Sequence, residues 1–212
     1  YGADAVRLYI LFMGPPEANK IWDPNGIEGV WRFLNRAWRV LVGSERQEAK
    51  PRTAKPAEGE ARRALHEAIA GTTKDMEEMA YNTAISKLMV LLNAMADLET
   101  LPDEMAEAFL RMLAPFAPHI AEECWSRRGG EGFASLASWP VHDPAALVRD
   151  TVDLAVQVNG KVRGKLSVAA DLPDGQVLEE ARALPNVAKH LAGNTIRKEM
   201  VVQGRLVVFV AN

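Results

Sequence analysis

The stretch NGIEGVWRFLNRAWRVLVG at residues 25–43 decides the fold of the first part of this 212-residue chain. At about 3.6 residues per turn, it predicts a helix with an apolar stripe and a basic stripe. The apolar stripe holds Ile27, Trp31, Leu34, Trp38 and Leu41, and the basic stripe holds Arg32, Arg36 and Arg39. We expect the helix to end before Gly43, because glycine readily adopts the left-handed conformation that closes helices. The apolar stripe should therefore face a core, and the arginines should face solvent.

The arginine row has two interpretations. A basic helix face is most often a solvated surface, and Glu28, four residues before Arg32, can neutralise part of it through an i,i+4 pair. The alternative is a phosphate-binding surface, since phosphate binding responds to the local field rather than to net charge. The net charge is −3, with seventeen basic and twenty-two acidic residues in 1–150, and eight and six in 151–212. Any contact with a nucleic acid must therefore be local.

Helical periodicity also appears at about residues 3–13, 60–80 and 82–98. Pro102-Asp103 marks the start of a further helix and Pro118 the start of another, because proline is well tolerated in the first turn. Together these segments predict a helical bundle.

Two connections in this part lack periodicity. Residues 44–59 are polar and contain two prolines, which predicts an exposed, mobile loop whose Lys50, Arg52 and Lys55 are solvated. Residues 135–148 carry apolar side chains, which predicts a strap across the bundle.

The period changes after about residues 149–152, where we place a domain boundary. Leu154, Val156 and Val158 alternate, and Asn159-Gly160 is a strong signal for a two-residue hairpin. Two short helices at 173–183 and 185–191 follow, and strands at 195–202 and 206–210 turn at Gln203-Gly204. The pattern predicts a small α+β domain with the order ββααββ.

This second domain carries its own cations. Lys161, Arg163 and Lys165 alternate at period 2, which predicts that they project from one face of the hairpin. Arg197 and Lys198 add charge on another strand of the same sheet. Phosphate contact is one interpretation; protection of an exposed sheet edge by charged residues is the other.

The sequence contains no recognisable catalytic constellation. The four histidines have no serine or cysteine partner at a known spacing, and phosphate-loop glycine patterns are absent. His119, Glu122 and Glu123 lack the second histidine of a helical metal motif, because Cys124 stands in its place. We therefore expect His119 to lie in a polar network at a helix start, and we expect no metal and no catalytic residue in this chain.

Six segments resemble class I aminoacyl-tRNA synthetases, most closely the leucine enzymes of bacteria, in the same order along the chain. They are YGADAVRLYILFMGPPEANKIW (1–22), GVWRFLNRAW (29–38), YNTAISKLMVLLNA (81–94), LAPFAPHIAEECW (113–125), VQVNGKVRGKL (156–166) and NTIRKEMVVQGRLVVFV (194–210). In that family the first segment follows the KMSKS-type lysine loop of the catalytic domain. The chain is therefore expected to be a carboxy-terminal part of a larger enzyme.

The resemblance implies a mainly α fold, a helical bundle of the class I anticodon-binding type, followed by a small α+β domain. It divides the chain into the end of the connecting segment (1–25), the bundle (26–150) and the carboxy-terminal domain (151–212). It implies tRNA contact by cations in both domains. These are Arg32, Arg36, Arg39, Lys161, Arg163, Lys165, Arg197 and Lys198.

The implied function is to position leucine tRNA for ATP-dependent aminoacylation by a catalytic domain outside this chain. The partners would be leucine tRNA and the catalytic and editing domains of the same enzyme, which is expected to act as a monomer. ATP and Mg would serve the parent enzyme, and the segment itself would need no cofactor and be inactive alone. The alternatives are a helical protein–protein adaptor and the equivalent part of a valyl or isoleucyl synthetase.

Two further expectations concern location. No apolar run approaches the roughly 18 residues that a transmembrane helix needs, so we expect no membrane contact. A single cysteine, Cys124, excludes an internal disulfide and suits the reducing cytoplasm.

Overall fold

A computed structural model describes residues 1–148, 151–170, 172–202 and 205–212. The chain divides into two compact units, which we name the helical unit (Tyr1–Leu147) and the carboxy-terminal unit (Val148–Asn212). The predicted boundary at 149–152 falls partly on Arg149 and Asp150, which lie outside the described residues, as does the predicted turn at Gln203-Gly204. An α-rich part followed by a small α+β part confirms the predicted fold class.

Helices dominate the helical unit. They are α1 (Ala3–Phe12), α2 (Ile27–Leu41), α3 (Gly59–Glu77), α4 (Tyr81–Asp97), α5 (Asp103–Leu113) and α6 (Pro118–Arg127), with 3-10 turns at Ala134–Leu136 and Pro144–Leu147. Short strands pair beside them: β1 (Gly43–Ser44) with β2 (Gln47–Glu48), and β3 (Arg52–Thr53) with β4 (Leu101–Pro102). None of the helices in the described part of the chain is long and apolar enough to cross a membrane.

Helix α2 buries a wider arc than the predicted stripe. Ile27, Leu34 and Leu41 are buried as expected, and the arc also includes Val30, Phe33, Ala37 and Val40. At about 100° per residue these additional side chains move the centre of the arc away from Trp31. The prediction that Trp31 lies in the core is therefore wrong, because its side chain is 42% exposed. Gly43 closes the helix with φ of 92°, as predicted.

The connection at 44–59 makes specific contacts with the bundle. Lys50 Nζ donates a hydrogen bond to the carbonyl of Leu98 (2.6 Å), and Arg52 Nε pairs with Asp103 Oδ1 (2.9 Å). The backbone of Arg52 also pairs with Leu101 in the β3–β4 ladder. The prediction that Lys50 and Arg52 are merely solvated was wrong, because sequence periodicity does not reveal contacts made 48 or 51 residues away.

A buried arginine joins the ends of three helices. Arg128 follows α6 and is 8% exposed, and it donates to the carbonyl of Leu41 at the end of α2 (3.2 Å). It also donates to Asp103 Oδ1 at the start of α5 (3.0 Å), while Arg52 donates to the carbonyl of Arg128 (2.6 Å). The hydrogen bond from Arg52 is the main reason that the pKa of Asp103 is lowered.

A second buried carboxylate joins α1 to α6. Asp4, 8% exposed, accepts hydrogen bonds from the backbone N–H of Ile120 (2.7 Å) and of His119 (3.4 Å). His119 Nδ1 lies 2.8 Å from Asp4 Oδ1. Because Pro118 begins α6, these N–H groups have no acceptor within the helix, and the carboxylate supplies one. His119 therefore lies in a polar network, as predicted.

The connection at 135–148 straps the helices as predicted. Trp139 Nε1 donates to Thr73 Oγ1 on α3 (2.8 Å), and the backbone N–H of Asp143 donates to His66 Nδ1 (3.0 Å). The Asp143 carboxylate also pairs with Arg62 at 2.5 Å.

The carboxy-terminal unit is a four-stranded sheet with two helices. In chain order the elements are β5 (Thr151–Val158), β6 (Lys161–Ala169), α7 (Asp174–Ala183), α8 (Pro185–Leu191), β7 (Ile196–Val202) and β8 (Leu206–Ala211). The strand order is β6-β5-β8-β7, with β5 and β8 parallel and the other pairs antiparallel. Strands β6 and β7 therefore form the two edges of the sheet.

Both helices cover one face of this sheet. Leu154, Val156 and Val158 are buried on that face as predicted, with Val177 of α7 and Val187 of α8 in the same core. The hairpin turns at Asn159 (φ 50°) and Gly160 (φ 77°), the positive angles that a two-residue turn of this kind requires. Neither α7 nor α8 covers the other face, which we name the open face.

We expect Asp103→Asn to lower the free energy of unfolding by about 2 kcal/mol at pH 7, because buried Arg128 would lose its charged partner. Since the pKa of folded Asp103 lies below its ordinary value of 3.8, this stabilisation is complete above that value. It is lost as pH falls through the lower, folded-state pKa, so the difference between variant and parent should shrink there. Urea unfolding from pH 7 down to about pH 2 measures it.

Glu107→Gln is the matched control, because Glu107 pairs with Arg111 on the surface of the same helix. Exposed pairs of this type contribute about 0.5 kcal/mol or less. Equal effects of both substitutions, or an Asp103→Asn effect that does not change with pH, would contradict the role given to Asp103.

Candidate nucleic-acid interface

The three arginines of α2 line one shallow cavity on the surface of the helical unit. Arg32, Arg36 and Arg39 surround a volume of about 340 Å³ together with Trp31 and Asn35. One turn of helix separates successive members, so their guanidinium groups follow the helix axis. We name this surface, lined by Trp31, Arg32, Asn35, Arg36 and Arg39, the arginine groove. The structure therefore brings together the three cations that the sequence predicted on this helix.

Little negative charge balances the arginine groove. Arg36 donates to Asn93 Oδ1 of α4 at 2.6 Å, and this partner is neutral. Within the part of the chain that the structure describes, Arg32 and Arg39 take part in no ion pair or hydrogen bond, so the predicted pair between Glu28 and Arg32 is not formed. The amide of Asn93 orients one guanidinium without cancelling its charge. The groove therefore offers uncompensated positive charge to an anion.

An exposed tryptophan borders the arginine groove. Trp31 is 42% exposed, and the ring of Tyr1 stands nearly perpendicular to it, at 83° and 5.9 Å between centroids. Asn35, one turn later, donates its amide to the carbonyl of Trp31 (2.8 Å), which leaves its side-chain oxygen free to accept. The 3.6-residue pattern predicts Trp31 in the core, and Asn35 is not among the predicted site residues. Counting Val30, Phe33, Ala37 and Val40 in the apolar arc would have identified Trp31 as a border residue.

A second, larger cavity lies on the other side of Trp31 and Asn35. Its volume is about 670 Å³, and α1, α2 and α6 contribute Asp4, Trp38, His119 and Glu123 to its wall. Trp38, predicted in the core, is half-buried, and the guanidinium of Arg127 lies 5.1 Å from its ring centroid. Arg127 also pairs with Glu123 at 2.7 Å. This wall carries the carboxylates of Asp4 and Glu123 and, among the described residues, no lysine or arginine, in contrast to the arginine groove.

The cations of strand β6 do not share one face, contrary to the prediction. Residue pairing shifts between Val156, opposite Gly164, and Gln157, opposite Val162, so that Arg163 is the additional residue of a β-bulge. Lys161 therefore pairs with buried Val158 on the helix-covered face, whereas Lys165 pairs with Ala155 on the other face. Simple alternation failed here because one inserted residue reverses the side of every residue beyond it.

Arg163 is held by the helices of the unit. Its carbonyl accepts a hydrogen bond from Asn186 Nδ2 of α8 (2.7 Å), and its Nε is buried without a hydrogen-bond partner among the described residues. The next residue, Gly164, leaves room for α8, since a Cβ there would lie 2.9 Å from Leu184 Cδ1. Arg163 is thus less available to a ligand than the two lysines, which are exposed.

Lys165 and Lys198 share the face of the sheet that lies away from α7 and α8. Lys198 of β7 pairs with Val210, which lies on the face opposite to buried Phe209 and Ala211. The two lysines stand on opposite edge strands, with β5 and β8 between them. Arg197 is the irregular residue of β7, and its Nε donates to Asn212 Oδ1 at 2.5 Å. The predicted cations of this unit are therefore distributed, with one lysine at each edge of the open face.

Nucleophile and metal chemistry have little support in this chain. Burial raises the pKa of the Cys124 thiol to about 12, so the reactive thiolate is not formed at neutral pH. Among the residues that the structure describes, no group of three or more His, Cys, Asp or Glu side chains could hold a metal ion.

Known proteins share this sequence and fold. Residues 58–180 match the family described as the anticodon-binding domain of tRNA ligases. Over 211 residues the chain is 48% identical to the leucine–tRNA ligase of Salinispora tropica; the match covers 100% of this chain and 22% of that protein.

A solved structure is similar as well. It is the ternary complex of Agrobacterium radiobacter K84 agnB2 LeuRS with tRNA and LeuAMS, with a TM-score of 0.75 and 28% identity, covering 100% of this chain and 29% of that one. The chain spans less than a third of the length of either relative. These similarities confirm the family that the sequence motifs indicated. Because the family match extends over more than half of the sequence, the chain belongs to the anticodon-binding-domain family of tRNA ligases.

Proposed function

We propose that this chain binds leucine tRNA as part of a leucine–tRNA ligase and holds it while a catalytic domain elsewhere in the enzyme attaches leucine. The observation that carries the proposal is the arginine groove, where three cations on one helix lack an acidic partner among the described residues. Such a surface suits the phosphates of a folded RNA. The similar structure is a complex of a LeuRS with tRNA, which supports RNA rather than an acidic protein as the ligand.

The two units would contribute differently to tRNA binding. The bundle (26–150) would contact the tRNA core through Arg32, Arg36 and Arg39. The small domain (151–212), with its ββααββ order, would make an outer contact in which Lys165 and Lys198 act from the open sheet face. The other three cations would have secondary roles. Lys161 lies on the helix-covered face, Arg163 lies in the bulge, and Arg197 bonds to Asn212.

The remaining parts of the enzyme would supply the chemistry. ATP and Mg would bind to the catalytic domain, which joins leucine to the tRNA, and the editing domain would complete the enzyme. The segment alone would be inactive, because aminoacylation needs groups that activate leucine. A monomeric, cytoplasmic enzyme fits this role in translation.

We expect Arg32→Ala combined with Arg36→Ala to weaken binding of leucine tRNA and to reduce its salt dependence. Each lost phosphate contact should lower the slope of log K against log[salt] by roughly 0.9, the value for duplex nucleic acid. Fluorescence anisotropy with labelled tRNA at several salt concentrations measures both quantities. Arg46→Ala is a control, as an exposed arginine outside the groove. An unchanged slope in the double variant would exclude phosphate contact by the groove.

We expect Lys165→Ala and Lys198→Ala each to lower tRNA affinity more than Lys161→Ala does. The reason is the bulge in β6, which places Lys165 on the open face and Lys161 on the helix-covered face. The same anisotropy titration compares the three variants. If Lys161→Ala has the largest effect, the open face is not the surface that contacts RNA, and the helix-covered side must be considered instead.

A further inference from the structure

Trp31 is the one large aromatic side chain that lines the arginine groove. Tryptophan is hydrophobic, yet this indole is 42% exposed while the neighbouring Val30 on the same helix is fully buried. The backbone of Trp31 is held in place, because the Asn35 amide donates a hydrogen bond to its carbonyl and the opposite side of α2 packs in the core. The indole is therefore presented to solvent by a rigid element, directly beside three cations.

An aromatic ring beside cations recognises unpaired nucleotides. A base stacks on the ring, and the cations hold the phosphates on either side of it. A base inside a duplex cannot make this contact, because its faces are already stacked on its neighbours. The groove volume of about 340 Å³ is near the lower end of the range for small-ligand sites, roughly 300–1,000 Å³, which suits one nucleotide.

We infer that the arginine groove binds one unpaired nucleotide of an RNA, with its base stacked on Trp31 and its phosphates at Arg32 and Arg36. This inference rests on the proposed function and adds the state of the RNA that the groove selects: an unstacked nucleotide of a loop or bulge, not a helical stem. Asn93 supports the arrangement, because its amide holds the Arg36 guanidinium at 2.6 Å without neutralising it. Asn35 adds a hydrogen-bond acceptor beside the indole.

A polypeptide is a weaker candidate for the occupant. An acidic peptide could satisfy the three cations, but it would leave the exposed indole without a flat partner. A duplex stem could likewise reach the arginines through its phosphates alone. The exposed indole distinguishes these candidates. An unpaired base uses both the indole and the positive charge, whereas a duplex stem or an acidic peptide uses the charge alone.

The test compares Trp31→Ala with the unaltered 212-residue chain on two probes, an eight-nucleotide single-stranded oligouridylate, whose bases stack little on one another, and a blunt RNA duplex of equal charge. We expect Trp31→Ala to weaken binding of the single strand about 10-fold, within the range for removal of one base–aromatic stack, and to change duplex binding less than 2-fold. The salt slope should stay the same, because no charge is removed. Trp31→Phe should restore most of the affinity, since phenylalanine keeps a stacking surface.

Trp22→Ala is the matched control. Trp22 is 56% exposed in the same unit, and its ring contacts Tyr9 rather than any arginine of the groove. Far-ultraviolet circular dichroism should report an unchanged fold for both alanine variants. Trp31→Ala that binds the single strand as tightly as Trp22→Ala does would overturn the inference, as would equal losses on single strand and duplex.

Two further outcomes distinguish failure of the proposed function from failure of the stacking inference. If the unaltered chain binds neither these two RNAs nor leucine tRNA with salt-dependent affinity, the proposed function itself fails, and the stacking site fails with it. If polyglutamate competes with the single strand as well as RNA does, the groove is a general polyanion site and the stacking inference is overturned, whereas tRNA binding by charge would remain. Trp31→Ala with normal duplex binding and weakened single-strand binding supports both proposals.

Discussion

Burial of the apolar arc of α2 is the constraint on which the interface depends. Val30 and Ala37 are fully buried, and Phe33 meets Phe109 of α5 edge to face at 6.3 Å between ring centroids. Turning the helix by one residue, about 100°, would expose several of these side chains at a cost of roughly 1.5–3 kcal/mol each. An exposed arginine gains at most about 1 kcal/mol from an ion pair. The core therefore sets the rotation of α2, and the arginines and Trp31 point outward as a consequence.

Charged residues then fix the ends of the helices. The Arg128 guanidinium donates hydrogen bonds to the Asp103 carboxylate and to the carbonyl of Leu41. The ends of α2, α5 and α6 therefore meet at one buried guanidinium. Asp4 stabilises the start of α6, where it accepts hydrogen bonds from backbone N–H groups that have no acceptor within the helix. A carboxylate at a helix start and an arginine at a helix end both suit the helix dipole. These contacts hold the surface of α2 in a fixed relation to its neighbours within the helical unit.

The carboxy-terminal unit follows a different rule for presenting charge. Its helices cover one side of the sheet, so strand register decides whether a side chain points toward α7 and α8 or away from them. The bulge at Arg163 decides which lysine of β6 is open, and Gly164 beside it permits the close approach of Leu184. The result is one lysine at each edge of this face rather than a dense basic cluster, and the exposed Asp153 of β5 lies on the same face.

The sequence by itself determined the helices, the hairpin at Asn159-Gly160, the strap at 135–148 and the family, because periodicity, turn residues and motifs are local properties. It also identified the three arginines of α2 as a group, since their spacing alone places them on one face. Only the tertiary structure decided that Arg52 binds Asp103 and that Lys161 and Lys165 lie on opposite faces. Each depends on packing or pairing with residues distant in the chain or on a single inserted residue, and neither leaves a periodic signal.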